Sequence, residues 1–199
     1  YMLFAGFLEN EIPKHLRVID ETAKKELYEQ WITNISHNYL RMLENNHGVV
    51  QPDVWQQARS INELMPITNK KAIIVSAGPS LQKNKHLLPK ARGYDIFCVD
   101  RSFHRLLDIG FRPHYVVAVD ASDLVAPYYE GINNETISIL PATCSNKLNP
   151  KSGRRWYIPS IDPVTDRVLQ IMTNLPIIHT QGNVAGATCG IVEYLGYEE

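Results

Sequence analysis

The stretch Ala72-Ile73-Ile74-Val75-Ser76-Ala77-Gly78-Pro79-Ser80-Leu81 decides how the rest of the chain is read. Four apolar residues in an unbroken, β-branched run read as a strand buried on both faces of a parallel sheet. The turn after it is tight: Gly78 allows close approach of backbone or ligand, and Pro79 fixes its own φ. Ser80 stands where a helix would begin, either as a plain N-cap or with its hydroxyl offered to an anion. Strand, turn and helix in that order open a βαβ unit.

The same grammar repeats downstream. Short β-rich runs follow at Asp95-Ile96-Phe97-Cys98-Val99, Tyr115-Val116-Val117-Ala118-Val119, Ile137-Ser138-Ile139-Leu140, Trp156-Tyr157-Ile158 and Pro176-Ile177-Ile178. Between the second and third strands, Phe103, Leu106 and Leu107 make a short amphipathic helix from Ser102 that Gly110 closes. The expected fold is α/β: an open, doubly wound, mostly parallel, Rossmann-like sheet over residues 69–199.

Residues 1–68 read as a helical N-terminal segment. Leu27, Trp31, Ile35, Tyr39 and Met42 share one helical face, with Asp20 as cap and Gly48 as stop. A second helix is predicted from Pro52 to Pro66, carrying Val54, Ala58, Ile61 and Met65. No chemistry is legible here, and the segment reads as an appendage that packs on the main domain or on a partner.

Composition narrows the function. The 199 residues are 44% hydrophobic, enough for one sizeable core without a disulfide or metal staple. Lys+Arg 20 against Asp+Glu 21 gives a net charge of -1, so no global field attracts nucleic acid, and none is expected as a partner. Cys98, Cys144 and Cys189 form no C-x-x-C pair, which fits a reducing compartment. The longest apolar run, Tyr1 to Leu8, is far short of the roughly 20 residues a membrane span needs. A cytoplasmic protein is expected. The closing Gly196-Tyr197-Glu198-Glu199 reads as a helix exit and the start of a strand, so the domain is expected to be truncated there.

In open parallel sheets ligands bind at the carboxyl ends of the strands. Those ends carry small or polar groups: Ser76-Ala77-Gly78-Pro79-Ser80, Asp100, Asp120, Thr143-Cys144-Ser145-Asn146 and His179-Thr180-Gln181-Gly182-Asn183. The first loop can present backbone N–H groups and a hydroxyl to a phosphate, or be a plain strand-to-helix turn. It is no Walker A loop, and one glycine of three makes a weak dinucleotide fingerprint, although Asp100 lies near the ribose-binding position. Gly182, Asn183 and Val184 form a second candidate phosphate loop at a helix N-terminus. Gly186 and Gly190 give that helix a bare stripe for close packing or for a ligand. Asp100 and Asp120 can hold a divalent cation, bond a ribose, or cap the next helix; His179 can act as acid or base, or be structural.

Taken together, the 72–81 stretch, Leu106-Leu107-Asp108-Ile109-Gly110-Phe111-Arg112-Pro113 and Val117-Ala118-Val119-Asp120 resemble the motility accessory factor family, which is associated with glycosylating flagellin. That domain family includes enzymes similar to 6-hydroxymethylpterin diphosphokinase. The Gly-Pro-Ser-Leu loop and the Gly182–Gly196 segment, with Glu193-Tyr194-Leu195-Gly196-Tyr197, are also similar to bacterial sialyltransferases that use CMP-sialic acid. Trp31, Asn34, Ile35 and Asn38 resemble, more faintly, the segment before this domain in the motility proteins.

The resemblance implies a nucleotide-binding transferase. Gly78, Pro79 and Ser80 would face the nucleotide's phosphate or sugar, with Ser76 and Thr143 in the same set of strand-end loops. Asp100 and Asp120 would contact ribose, base or donor, and Gly182, Asn183 and Val184 would form the second phosphate loop. The reading favoured at this point is transfer of a nonulosonic sugar from a CMP donor to a protein or glycan acceptor such as flagellin, with Asp120 or His179 activating the acceptor hydroxyl. Its rival is ATP-dependent 6-hydroxymethylpterin diphosphokinase, with Mg²⁺ held by Asp100 and Asp120. A third is a non-catalytic module that binds a client. The chain departs from these families in two ways: His114 follows Pro113 where the motility proteins are expected to carry aspartate, and the sialyltransferases have asparagines at Asp100 and Asp120.

Overall fold

The structure, a computed structural model, describes residues 29–38, 58–65, 70–148, 153–160, 163–180 and 183–198. Its centre is a seven-stranded sheet in which every pairing is parallel. The strands are β1 (Ala58–Ser60), β2 (Lys71–Val75), β3 (Tyr94–Val99), β4 (Tyr115–Val117), β5 (Ile137–Pro141), β6 (Arg154–Pro159) and β7 (Ile177–Ile178). Space order follows chain order from β2 at one edge to β6. The outer edge of β6 is then shared: β1 pairs with Arg154–Trp156, and β7 continues along Ile158 and Pro159.

All six apolar runs become strands, and their lack of alternation has a packing cause. Cys98, Val116, Leu140, Trp156 and Ile158 point into one core layer, under Phe103, Leu106 and Leu169. Their chain neighbours Phe97, Val117, Ile139 and Tyr157 point into the opposite layer, under Ile61, Ile191 and Leu195. Each strand needs apolar residues on both faces, so the sheet is wound on both sides.

The described helices are α1 (residues 29–38), α2 (Ser80–Asn84), α3 (Phe103–Asp108), α4 (Pro163–Thr173) and α5 (Val184–Tyr194). Helix α5 packs on β7, β3 and β2, with Ala187, Ile191 and Leu195 fully buried as their spacing predicts. Gly190 allows that approach: a Cβ there would lie 3.1 Å from the His179 carbonyl oxygen and 3.4 Å from Ile178 Cγ2. Beyond α5 the chain returns to the far edge of the sheet, where Glu198 N–H donates to the Lys70 carbonyl at 3.1 Å.

Three local expectations are corrected. The helix predicted from Pro52 to Pro66 is not helical over its described part, because Ala58–Ser60 pairs with the free edge of β6 and Ile61–Leu64 forms a 3-10 turn. Satisfying that edge and burying Ile61 completely outweigh a helical spacing of apolar residues. Ser80 is the first residue of α2 rather than its N-cap; Pro79 holds the cap position without a side-chain bond. Strand β4 stops at Val117, two residues early. Ala118 N–H still donates to the Ile139 carbonyl at 3.2 Å, but its own carbonyl accepts from the Tyr157 hydroxyl at 2.9 Å, and regular pairing ends there. Asp20, Gly48, Gln181 and Gly182 lie outside the described residues.

Candidate functional site

A cleft of about 540 Å³ opens at the carboxyl ends of β2, β3 and β4. Ser76 and Ala77 line it from the first strand, Val99, Asp100 and Arg101 from the second, and Val119, Asp120 and Ala121 from the third. Val125 lies beyond that last group. Asn183, Val184 and Ala185 bring in the N-terminus of α5, and Trp31 reaches in from α1. Segments far apart in the chain therefore meet at one point, because parallel strands deliver all their exit loops to the same edge.

Asp100 is 5% exposed. Its Oδ1 accepts from Arg101 N–H at 2.6 Å, and its other oxygen has no partner among the described residues. Burial pushes its carboxyl up, and the nearby Asp120 charge pushes the same way; the Arg101 amide and guanidinium pull against them. Asp120 is exposed and uses Oδ1 to accept from Ser122 N–H at 2.8 Å. Neither aspartate takes the helix-capping role open to it in sequence: Val99 and Ser102 hold the cap positions after β3 without a side-chain bond, and Ser122 caps the 3-10 turn that begins at Asp123. Each aspartate spends one oxygen on a nearby amide instead. Two carboxylates that line one cleft can take a hard cation or a sugar hydroxyl.

Positive charge comes from two sources. Arg101 lines the cleft, its guanidinium 5.6 Å from the Tyr128 ring centroid. At α5, Asn183 is the N-cap: its Oδ1 accepts from Gly186 N–H at 2.8 Å, fixing the direction of the first turn. The amides of Val184 and Ala185, in that first turn, have no intrahelical acceptor, so this end suits an anion.

The glycine loop is held from behind. Arg105 Nη1 donates to the Ala77 carbonyl at 3.0 Å, and Leu81 N–H closes the turn on the Gly78 carbonyl at 3.2 Å. A Cβ at Gly78 would meet only Ser80 Oγ, at 3.6 Å. The protein alone therefore does not require glycine there.

Of the sequence-predicted residues, Ser76, Asp100, Asp120, Asn183 and Val184 come together in the cleft. Gly78, Pro79 and Ser80 stand beside it on the loop that Ser76 and Ala77 begin, without lining it. Thr143 is buried at the end of β5, its carbonyl accepting from Asn34 Nδ2 at 2.9 Å. His179 is exposed and outside the cleft; its backbone, rather than its ring, makes the contact with α5. His114, where an aspartate was expected, accepts from Ile96 N–H through Nδ1 at 2.9 Å, and its own N–H donates to the Ile96 carbonyl at 2.9 Å.

Over residues 41–199 the chain matches the model of the family described as 6-hydroxymethylpterin diphosphokinase MptE-like. The chain belongs to that family. No curated protein matches it. Membership in this MptE-like family suggests a transferase-like or kinase-like role for the chain. Among the described residues no helix is long and apolar enough to cross a membrane.

Sequence reasoning missed three residues in and around the MptE-like cleft. Arg101 and Arg105 sit on the short helical turns after β3, where the sequence offered only a helix start. Trp31 lay in a segment read as an appendage. The available signal was Asn34 and Asn38: amides on the same helical face as Ile35 need acceptors, and strand ends have them.

Proposed function

We propose that this chain transfers a diphosphate group from ATP to the primary alcohol of a hydroxymethylpterin, with Mg²⁺. The observation that carries the reading is the pairing of Asp100 and Asp120 at adjacent strand ends, in a cleft that also receives Arg101 and the N-terminus of α5. Among the described residues no group of three or more His, Cys, Asp and Glu side chains gathers. A metal caged by protein alone does not fit them. Mg²⁺ does, because it takes one or two carboxylates and completes its shell with water and substrate phosphates.

Asp100 would hold the ion from the buried side, and Asp120 would share it from the mouth. Bound there, Mg²⁺ would neutralise the phosphate oxygens and draw electrons from the phosphorus under attack. Arg101 and the amides of Val184 and Ala185 would take the remaining phosphate charge, and the loop from Ser76 to Ser80 would fix the direction of the chain of phosphates. The acceptor's alcohol oxygen would form a bond to the β-phosphorus as the bond from that phosphorus to the α-bridging oxygen breaks. AMP leaves with the electron pair, and the alcohol proton passes to water at the open mouth of the cleft.

Transfer of a nonulosonic sugar from a CMP donor stands behind this reading. An acidic pair repels the donor's phosphate unless a cation intervenes. His179, the other acid or base expected for that reaction, is outside the cleft. The test is to incubate the chain with ATP, Mg²⁺ and 6-hydroxymethylpterin and follow products by ³¹P NMR and chromatography. AMP and a pterin diphosphate in equal amounts are expected. ADP alone, or tight metal-independent binding of CMP with no ATP turnover, would overturn the proposal.

A further inference from the structure

We infer that Trp31 is the ring-recognition residue of the cleft, stacking on the flat nitrogen heterocycle of a ligand; this rests on the reading of the cleft as a site for ATP and a pterin alcohol. Helix α1 is not part of the sheet, and three amides on one face tie it down. Gln30 Nε2 donates to the Ala121 carbonyl at 3.3 Å. Asn34 Nδ2 donates to the carbonyls of Ala121 at 3.1 Å and Thr143 at 2.9 Å. Asn38 Nδ2 donates to those of Ala142 at 2.9 Å and Cys144 at 3.0 Å.

The acceptors are backbone groups at or just beyond the ends of β4 and β5, where the ladder no longer supplies donors. Asn34 and Asn38 are 7% and 1% exposed, so the bonds are made away from water, where leaving them unmade is costly. Residues four apart lie one turn apart on the same face, so these bonds fix the rotation of α1 as well as its position.

That rotation sets Trp31 into the cleft, one residue past Gln30 and one turn before Asn34. It is half-buried and, among the described residues, the one aromatic side chain lining the cleft, which Val99, Val119, Ala121 and Val125 also line. The lining offers two chemistries: carboxylates, Arg101 and the α5 amides suit phosphate and metal, while an indole and aliphatic side chains suit a planar ring. Stacking accepts any flat heterocycle, so the same wall fits adenine or a pterin.

The experiment uses the full chain, wild type, Trp31→Ala and Trp31→Phe, with three probes: Mg·ATP, Mg·tripolyphosphate and 6-hydroxymethylpterin, each titrated by calorimetry. Trp31→Ala is expected to weaken Mg·ATP or the pterin by about 10-fold or more, to leave Mg·tripolyphosphate within about 2-fold, and to be largely rescued by Trp31→Phe. Loss on ATP assigns the wall to the nucleotide; loss on the pterin assigns it to the acceptor. Equal weakening of all three probes, or of none, overturns the inference. A wild-type chain that binds the pterin in a Trp31-dependent way but no Mg·polyphosphate would sink the phosphate-transfer reading and leave Trp31 assigned. Binding of none of the three would sink both.

Discussion

Replacing Asp100 with asparagine separates what the carboxylate costs the fold from what it does for a ligand. The side chain is 5% exposed, and burial is the main reason its carboxyl is pushed up, with Asp120 adding to it. Asparagine keeps an oxygen for the 2.6 Å bond from Arg101 N–H and removes the charge. In the absence of ligand, Asp100→Asn is therefore expected to raise stability at pH 7 by about 0.5–2 kcal/mol, within the range of single stabilising substitutions. In thermal unfolding that is a rise of a few degrees for a chain of this size.

The gain must depend on pH with a definite sign. A carboxyl raised in the folded state binds its proton at a higher pH there than in the unfolded chain. Wild type thus loses stability as pH rises through the folded value, and the loss is absent below the unfolded value of about 3.9. The advantage of Asp100→Asn should shrink as pH falls and vanish near pH 4. Ligand binding should move the other way: Mg·ATP affinity is expected to drop by about 10- to 100-fold, the loss of one strong charged contact. Urea unfolding across pH 4–8, paired with calorimetric titration, reads both. A variant less stable at pH 7, or one that binds Mg·ATP as wild type does, would refute the reasoning.

Other substitutions probe separate parts of the structure. Asn38→Ala leaves the buried carbonyls of Ala142 and Cys144 without their amide donor and is expected to cost about 1–3 kcal/mol by urea unfolding, with Asn34→Ala close behind. Gly190→Ala forces a Cβ to 3.1 Å from the His179 carbonyl and should destabilise by about 1–3 kcal/mol, the cost of an overpacked contact. Gly78→Ala meets only Ser80 Oγ and should leave stability within about 0.5 kcal/mol. A simultaneous fall in Mg·ATP affinity would show by titration that the ligand, not the fold, needs that glycine. His179→Ala should leave turnover within about 3-fold, because substitutions outside a site touch neither binding nor chemistry.

Where the fold was legible, the reason is that burial on both faces leaves a continuous apolar run, and Ile73, Phe97, Val116, Ile139 and Tyr157 all sit in such runs. Strand β1 was hidden because Ala58-Arg59-Ser60 has no β signal of its own; it is a strand because β6 has an edge to share. The early end of β4 was hidden too, since the Tyr157 hydroxyl that captures Ala118 comes from another strand. In the site, Asp100 and Asp120 could be placed because strand ends in a parallel sheet share one edge. Trp31 could not, because its position depends on bonds such as Asn34 to Ala121, which local pattern does not encode.

If the cleft takes phosphate as proposed, its charges favour binding with a metal over binding without one. Two carboxylates face one guanidinium and a helix N-terminus equivalent to about half a positive charge. A polyphosphate entering alone would meet a site already short of positive charge, and Asp100 would be the group least able to tolerate it. A divalent cation reverses the balance: it offsets the desolvation of Asp100, quiets its repulsion from Asp120 and attracts the phosphates. On the proposed reading, the cost that burial imposes on Asp100 in the free protein would be the counterpart of affinity for the ion. A carboxylate kept in such a place is hard to explain by its one amide bond, since an asparagine could accept from the Arg101 amide without the penalty.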